Sequence, residues 1–155
     1  MKVCVLGLWH LGIVTAACLA SGGHHVVGLD FDESVIANLK KGKLPLFEPG
    51  LEELVKNGIA ENKLGFSTDI KQAVSDAQVI WVTYDTPVDE DDRADVDFVI
   101  ERISRLFPDL EAGQQILISS QLPVGSARRL EHFLEEARPN LSVSFSYSPE
   151  NLRLG

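Results

Sequence analysis

Residues 7 to 12 read Gly-Leu-Trp-His-Leu-Gly, directly after the apolar run Lys-Val-Cys-Val-Leu. A glycine leaving an apolar run, with a second glycine five positions on, is the outline of a phosphate-cradling loop. In such loops the first glycine makes the tight turn, the middle one lets the backbone approach a pyrophosphate, and the last lets helix and strand pack closely. The chemistry is anion binding by backbone N–H groups and the partial positive charge of a helix N-terminus. Gly7, Leu8, Trp9, His10, Leu11 and Gly12 are therefore candidate cofactor-binding residues. Trp9 stands where the middle glycine belongs, and its indole is expected to crowd a pyrophosphate unless the ring turns away and the loop shifts. For Trp9 and His10 the alternative is surface packing over a vacant loop. Asp30 lies 18 residues beyond Gly12 and ends a second apolar run, His25 to Asp30. There a carboxylate accepts hydrogen bonds from ribose hydroxyls and repels a 2′-phosphate, favouring NAD over NADP. The alternative for Asp30 is a turn or helix cap, a duty for which Asp32 is better placed.

Other groups offer less. The run Asp-Glu-Asp-Asp-Arg-Ala-Asp, 89–95, holds five acids in seven residues. It lacks the glycine and terminal glutamate of a calcium loop and reads as solvated. His24 and His25 suit a loop or edge, and no cysteine–histidine cluster has zinc spacing, so no metal is expected. Ser119 and Ser120 sit in no nucleophile elbow. Cys4 and Cys18 fall in apolar segments and are expected to be buried free thiols, which fits a reducing cytoplasm. A net charge of −9 over 155 residues argues against nucleic-acid or anionic-membrane surfaces. No apolar run is long enough to span a bilayer.

The elements that must position these groups alternate. Apolar runs at 2–7, 25–30, 64–69, 77–84, 114–120 and 141–148 read as strands. Helices are expected at 11–21 (stopped by Gly22 and Gly23), at 32–42 (Asp32 as N-cap, Gly42 as C-cap), and from Leu51. Further helices are expected at 70–75, at 96–107 (closed by Pro108) and at 125–137. Near-continuous apolar strands alternating with helices imply an α/β fold, a doubly wound parallel six-stranded sheet of Rossmann type. Trp81, in mid-strand, reads as core. The segment after the sixth strand, 148–155, has no closing helix, so a domain of a longer protein is expected.

Read in order, "GLWHLG", "GHHVVGLD", "EPGLEEL", "TPVDEDDRADVDFV", "SSQLPVGS" and "SPENLRLG" resemble the NAD-binding domain of the UDP-glucose/GDP-mannose dehydrogenase family over essentially all 155 residues. The resemblance implies a full-length enzyme that oxidises the C6 hydroxyl of a UDP- or GDP-sugar to a carboxylate with two NAD, in nucleotide-sugar metabolism and polysaccharide biosynthesis. It implies a homodimer, and a central helix and sugar-nucleotide domain beyond these 155 residues. It also implies a thioester-forming cysteine that neither Cys4 nor Cys18 matches, so this segment alone is expected to be inactive. Carried over by position, Tyr84, Asp85 and Thr86 flank the cofactor. Gln121 meets the nicotinamide and a catalytic water, and Glu150 serves proton transfer and thioester hydrolysis; both are the candidate catalytic residues.

The departures cluster around one pocket. The family's G-Y pair is Trp9-His10, and the basic residue it often carries five positions after the ribose acid is Val35. The glycine of its V-G-T-P loop is Asp85, whose charge disfavours a nearby pyrophosphate. Gln121 replaces a threonine but still donates and accepts hydrogen bonds. Leu154 replaces an acid near the nicotinamide. A second reading follows: a degenerate Rossmann module with weak or no NAD binding, kept for a structural or sensing role.

Overall fold

The structure, a computed structural model, describes residues 1–91 and 93–148. Six strands form one sheet: β1 (Lys2–Leu6), β2 (His25–Leu29), β3 (Leu64–Ser67), β4 (Val79–Val82), β5 (Gln115–Ile118) and β6 (Ser144–Tyr147). Every pairing is parallel and the order is β3-β2-β1-β4-β5-β6. The chain order reverses between β1 and β4, creating the crevice at the strands' carboxyl ends where such sheets bind ligands. Register is fixed by pairs such as Val3 with Val26 and with Val79.

Alternation along β1 divides the core. Val3 and Val5 face one layer with α1 (His10–Ser21), α2 (Glu33–Lys40) and α3 (Leu51–Ala60). Cys4 and Leu6 face the other, with α4 (Ile70–Val74), α5 (Val96–Ser104) and α6 (Ser126–Ala137). A strand covered on both faces has no polar side, which is why β1 reads as a continuous apolar run. Ala16, Ala17 and Ala20 are the small residues that bring α1 close to the sheet.

Capping follows the sequence where it is local. Asp32 accepts the Ser34 and Val35 amides at the start of α2, Asp69 that of Gln72, and Asp95 that of Phe98. Lys41 ends α2, and Gly42 just beyond it takes the left-handed φ of +73° that a side chain resists. Gly22 and Gly23 end α1 as expected.

Four expectations need correction. Cys4 is buried but Cys18 is exposed, because α1 turns Ala16, Ala17 and Ala20 to the core and leaves position 18 on its outer side. The helix expected to run to residue 107 stops at Ser104, and Pro108 lies inside a short 3₁₀ turn, Phe107–Asp109, instead of closing the helix. Trp81 is half-buried, at the surface of the sheet and not in its core, and its indole N–H donates to Ser119 Oγ at 2.9 Å. Several strands are also shorter than their apolar runs, whose last residues leave the pleat to form the loops at the carboxyl edge while still donating to the neighbouring strand, as Thr83 does to Leu6 and Ser119 to Val82.

Candidate functional site

The glycine loop leaves β1 at the crevice. Gly7 has φ of +93°, and a Cβ there would come within 2.8 Å of the Tyr84 ring. Gly12 is more constrained: a Cβ would sit 1.8 Å from the Gly7 carbonyl oxygen and 2.7 Å from Thr83 Oγ1. Both glycines therefore have a steric requirement, one for a turn and one for close packing. Thr83, at the end of β4, directs its hydroxyl to the carbonyls of Leu6 at 3.0 Å and Gly7 at 2.8 Å, fastening the turn.

The middle position needs no glycine for backbone reasons. Trp9 has φ of −80° and is the N-cap of α1. Its side chain is 54% exposed and does not leave the site. With His10, Leu11, Asp85, Thr86 and Gln121 it lines a cavity of about 290 Å³ at the mouth of the crevice. Ser120 Oγ, in the wall of the same cavity, is buried without a hydrogen-bond partner. The Thr86 hydroxyl donates to the Gln121 backbone carbonyl at 2.7 Å, joining the β4 and β5 loops. His10 Nε2 lies 3.0 Å from Glu48 Oε1, which ties the glycine loop to the loop before α3.

Asp30 does more than either alternative foresaw. Its Oδ2 accepts the buried Leu8 N–H at 2.8 Å, and its Oδ1 accepts the Asp32 N–H at 3.1 Å. The carboxylate thus holds the glycine loop against the end of β2. It also lines a second cavity of about 400 Å³ with Phe31, Val35, Phe98, Arg102 and Arg105. Tyr84 borders both cavities. Its hydroxyl is sealed from solvent and meets no partner in good hydrogen-bond geometry, although the Arg102 guanidinium lies 5.6 Å from the ring centroid. Burial first, then the Asp30 charge, pushes this phenol well above its ordinary range.

These residues fit an elongated ligand with an anionic middle and hydroxyl-bearing ends. The first turn of α1, like that of α6, has no acid and no side-chain cap, whereas α2, α4 and α5 are capped by aspartates; α1 is the one of the two that opens beside the Gly7–Gly12 loop. An uncapped N-terminus keeps its amide donors and partial positive charge for an anion. One buried hydroxyl without a hydrogen-bond partner, that of Ser120, lies in the wall of the first cavity.

The structure brings together eleven of the sequence-nominated residues: Gly7 to Gly12, Asp30, Tyr84 to Thr86, and Gln121 at the rim. Glu150, the other candidate catalytic residue, and Leu154 lie outside the described residues. Arg102, Arg105, Thr83 and Ser120 were missed. Nothing local marks them, since each reaches the crevice only through strand order. Among the described residues no group of three or more side chains is arranged to hold a metal ion, and no helix is long and apolar enough to cross a membrane.

Comparison with known proteins gives the chain a family. The chain is 35% identical to UDP-glucose 6-dehydrogenase of Rhizobium meliloti and 32% identical to that of Pseudomonas aeruginosa, in each case over 100% of its length. It spans 36% and 35% of those relatives. The crystal structure of a ternary complex of GDP-mannose dehydrogenase from Pseudomonas aeruginosa superposes with a TM-score of 0.90 at 26% identity, covering 99% of this chain and 37% of that one. A UDP-glucose dehydrogenase from Pyrobaculum islandicum gives 0.88 at 28% identity, covering 98% of this chain and 36% of that one. The family model for the NAD-binding domain matches residues 1–155, so the chain belongs to the UDP-glucose/GDP-mannose dehydrogenase family as its NAD-binding domain.

Proposed function

We propose that NAD lies across the crevice with its pyrophosphate over the Gly7–Gly12 loop and the N-terminus of α1. Asp30 holds the adenosine ribose, Tyr84 to Thr86 flank the dinucleotide, and Gln121 faces the nicotinamide. The observation that carries this reading is the Asp30–Leu8 contact, which ties the ribose acid and the glycine loop into one unit beside an uncapped helix N-terminus. Held by the Gly7–Gly12 loop and Asp30, NAD would supply the hydride acceptor for oxidation of the substrate carbon. The chain's own residues bind and orient: the α1 amides meet the phosphates, Asp30 accepts from ribose hydroxyls, and the Gln121 amide orients the carboxamide or a water. Glu150 is proposed as the proton-transferring acid on the strength of the resemblance.

The whole protein is proposed to oxidise the C6 hydroxyl of a UDP- or GDP-sugar to the carboxylate with two NAD, as a cytoplasmic homodimer. The names of its relatives support the sugar nucleotide. The resemblance supports the dimer and a further domain that completes the site, and two free thiols support a reducing compartment.

One observation favours the second reading, a module that has lost its cofactor: Trp9 and Asp85 both line the cavity proposed for the pyrophosphate. Calorimetric titration with NAD and NADP, on the native protein and on Trp9→Gly, separates the two. NAD binding by the native protein, without NADP binding, sustains the dehydrogenase reading. Binding that appears only in Trp9→Gly identifies the indole as a block and favours the module.

A further inference from the structure

Val35 stands five positions after Asp30 and carries no charge. The structure brings cations to the same place from a different element. Val35 and Asp30 border the cavity of about 400 Å³ between the end of β2 and α5, and Arg102 and Arg105 close its far side. Arg105 Cζ lies 3.9 Å from the centroid of the Phe31 ring, directly after Asp30. Arg102 Cζ lies 3.4 Å from the Phe98 centroid, and this guanidinium is already engaged with the Glu101 carboxylate at 3.3 Å and the Phe98 carbonyl at 3.4 Å. Arg105 differs: among the described residues no carboxylate comes within ion-pair distance of it. In a domain of net charge −9, an exposed and unpaired guanidinium beside the ribose acid calls for a function.

We propose that Arg105, seated over Phe31, is a binding contact for the adenosine half of the dinucleotide, stacking the adenine beside the Asp30 carboxylate. Guanidinium planes stack on aromatic rings on either side, so a residue already over Phe31 presents a prepared platform. Phe31 supplies the floor, Asp30 the ribose acceptor, and Val35 an apolar side wall against which a purine edge packs. The inference rests on the NAD reading given above.

The test is NAD affinity by calorimetry and AMP affinity by competition against NAD, in the native protein, Arg105→Ala, Arg105→Lys and Arg105→Ala/Val35→Lys. Arg105 is exposed, so its removal leaves the core intact. Loss of one exposed stacked cation should weaken NAD about fivefold. AMP should weaken by the same factor, because the lost contact lies in the half that the two ligands share. Arg105→Lys should recover less than half of the loss, since an ammonium keeps the charge without the plane, and Val35→Lys should restore charge from position 35. NAD and AMP affinities unchanged in Arg105→Ala would overturn the proposal while leaving NAD binding intact. Weakening of NAD but not of AMP would also overturn it, by placing the effect in the other half. A native protein that binds no NAD refutes the NAD reading and this inference with it.

Discussion

Asp30 is where binding and stability are coupled, and replacing it with alanine gives a calculable result. The substitution removes both acceptors of the turn: Oδ2, 2.8 Å from the Leu8 N–H, and Oδ1, 3.1 Å from the Asp32 N–H. Leu8 is 1% exposed, so water cannot replace the lost partner of its amide. A buried donor left unsatisfied costs about 1–3 kcal/mol, and the part-buried Asp32 amide adds about 1 kcal/mol, giving roughly 2–4 kcal/mol in all. Against a total stability of about 5–15 kcal/mol that is a large loss. Asp30→Asn keeps one acceptor oxygen and places an NH₂ against the other amide, so it should lose about half as much. Urea unfolding followed by far-UV circular dichroism measures both, with m values unchanged if only the folded state is affected. NAD binding should weaken about 10- to 100-fold in Asp30→Asn, which disturbs the loop less than Asp30→Ala and so weights the loss toward the ribose hydrogen bonds. An Asp30→Ala protein within about 0.5 kcal/mol of native stability would refute the claim that this carboxylate holds the glycine loop. Loss of binding in Asp30→Ala alone says little about ribose contact, because the same change loosens the loop that holds the phosphates.

Gly12→Ala should cost about 3 kcal/mol or more, because its Cβ meets a backbone carbonyl at 1.8 Å, whereas Gly65→Ala, with nothing within 4 Å, should change stability by less than about 0.5 kcal/mol. Equal urea midpoints for the two would contradict the steric reading. Tyr84→Phe removes a sealed hydroxyl that lacks a good partner and should leave stability unchanged or raise it by up to about 1 kcal/mol; a clear loss in the same assay would mean that Arg102 satisfies the hydroxyl. The Asp32 carboxyl is held below its ordinary value by the Ser34 hydroxyl, then by the Ser34 and Val35 amides. A depressed folded pKa contributes stability that is complete above the unfolded value near 3.9 and is lost as pH falls through the folded value. The gap in urea midpoint between the native protein and Asp32→Ala should therefore hold at neutral pH and close in acid; a gap that persists unchanged at low pH would contradict the cap.

Much of this was legible in the residues themselves. β1 and β2 declare themselves as apolar runs because a strand covered on both faces has no polar side, and their alternation with helices makes a parallel sheet legible. Asp32 was readable as a cap because its partners, Ser34 and Val35, lie two and three residues away. Gly7 and Gly12 were readable because a turn and a close helix approach are short-range demands. The remainder depended on which segments the sheet places side by side. Asp30 meets Leu8 across 22 residues only because β2 pairs with β1 in a register that sets Leu29 beside Leu6. Arg105 reaches Phe31 only because α5, which follows β4, packs beside the end of β2. Cys18 looked like core because its neighbours are apolar, yet the side of α1 that faces the sheet is chosen by Ala16, Ala17 and Ala20, which leaves the thiol outside. Local sequence carries helix ends, turns and strand periodicity because those are settled within a few residues; strand order and helix face are settled by burying the whole chain's apolar surface at once, and only the folded chain contains them.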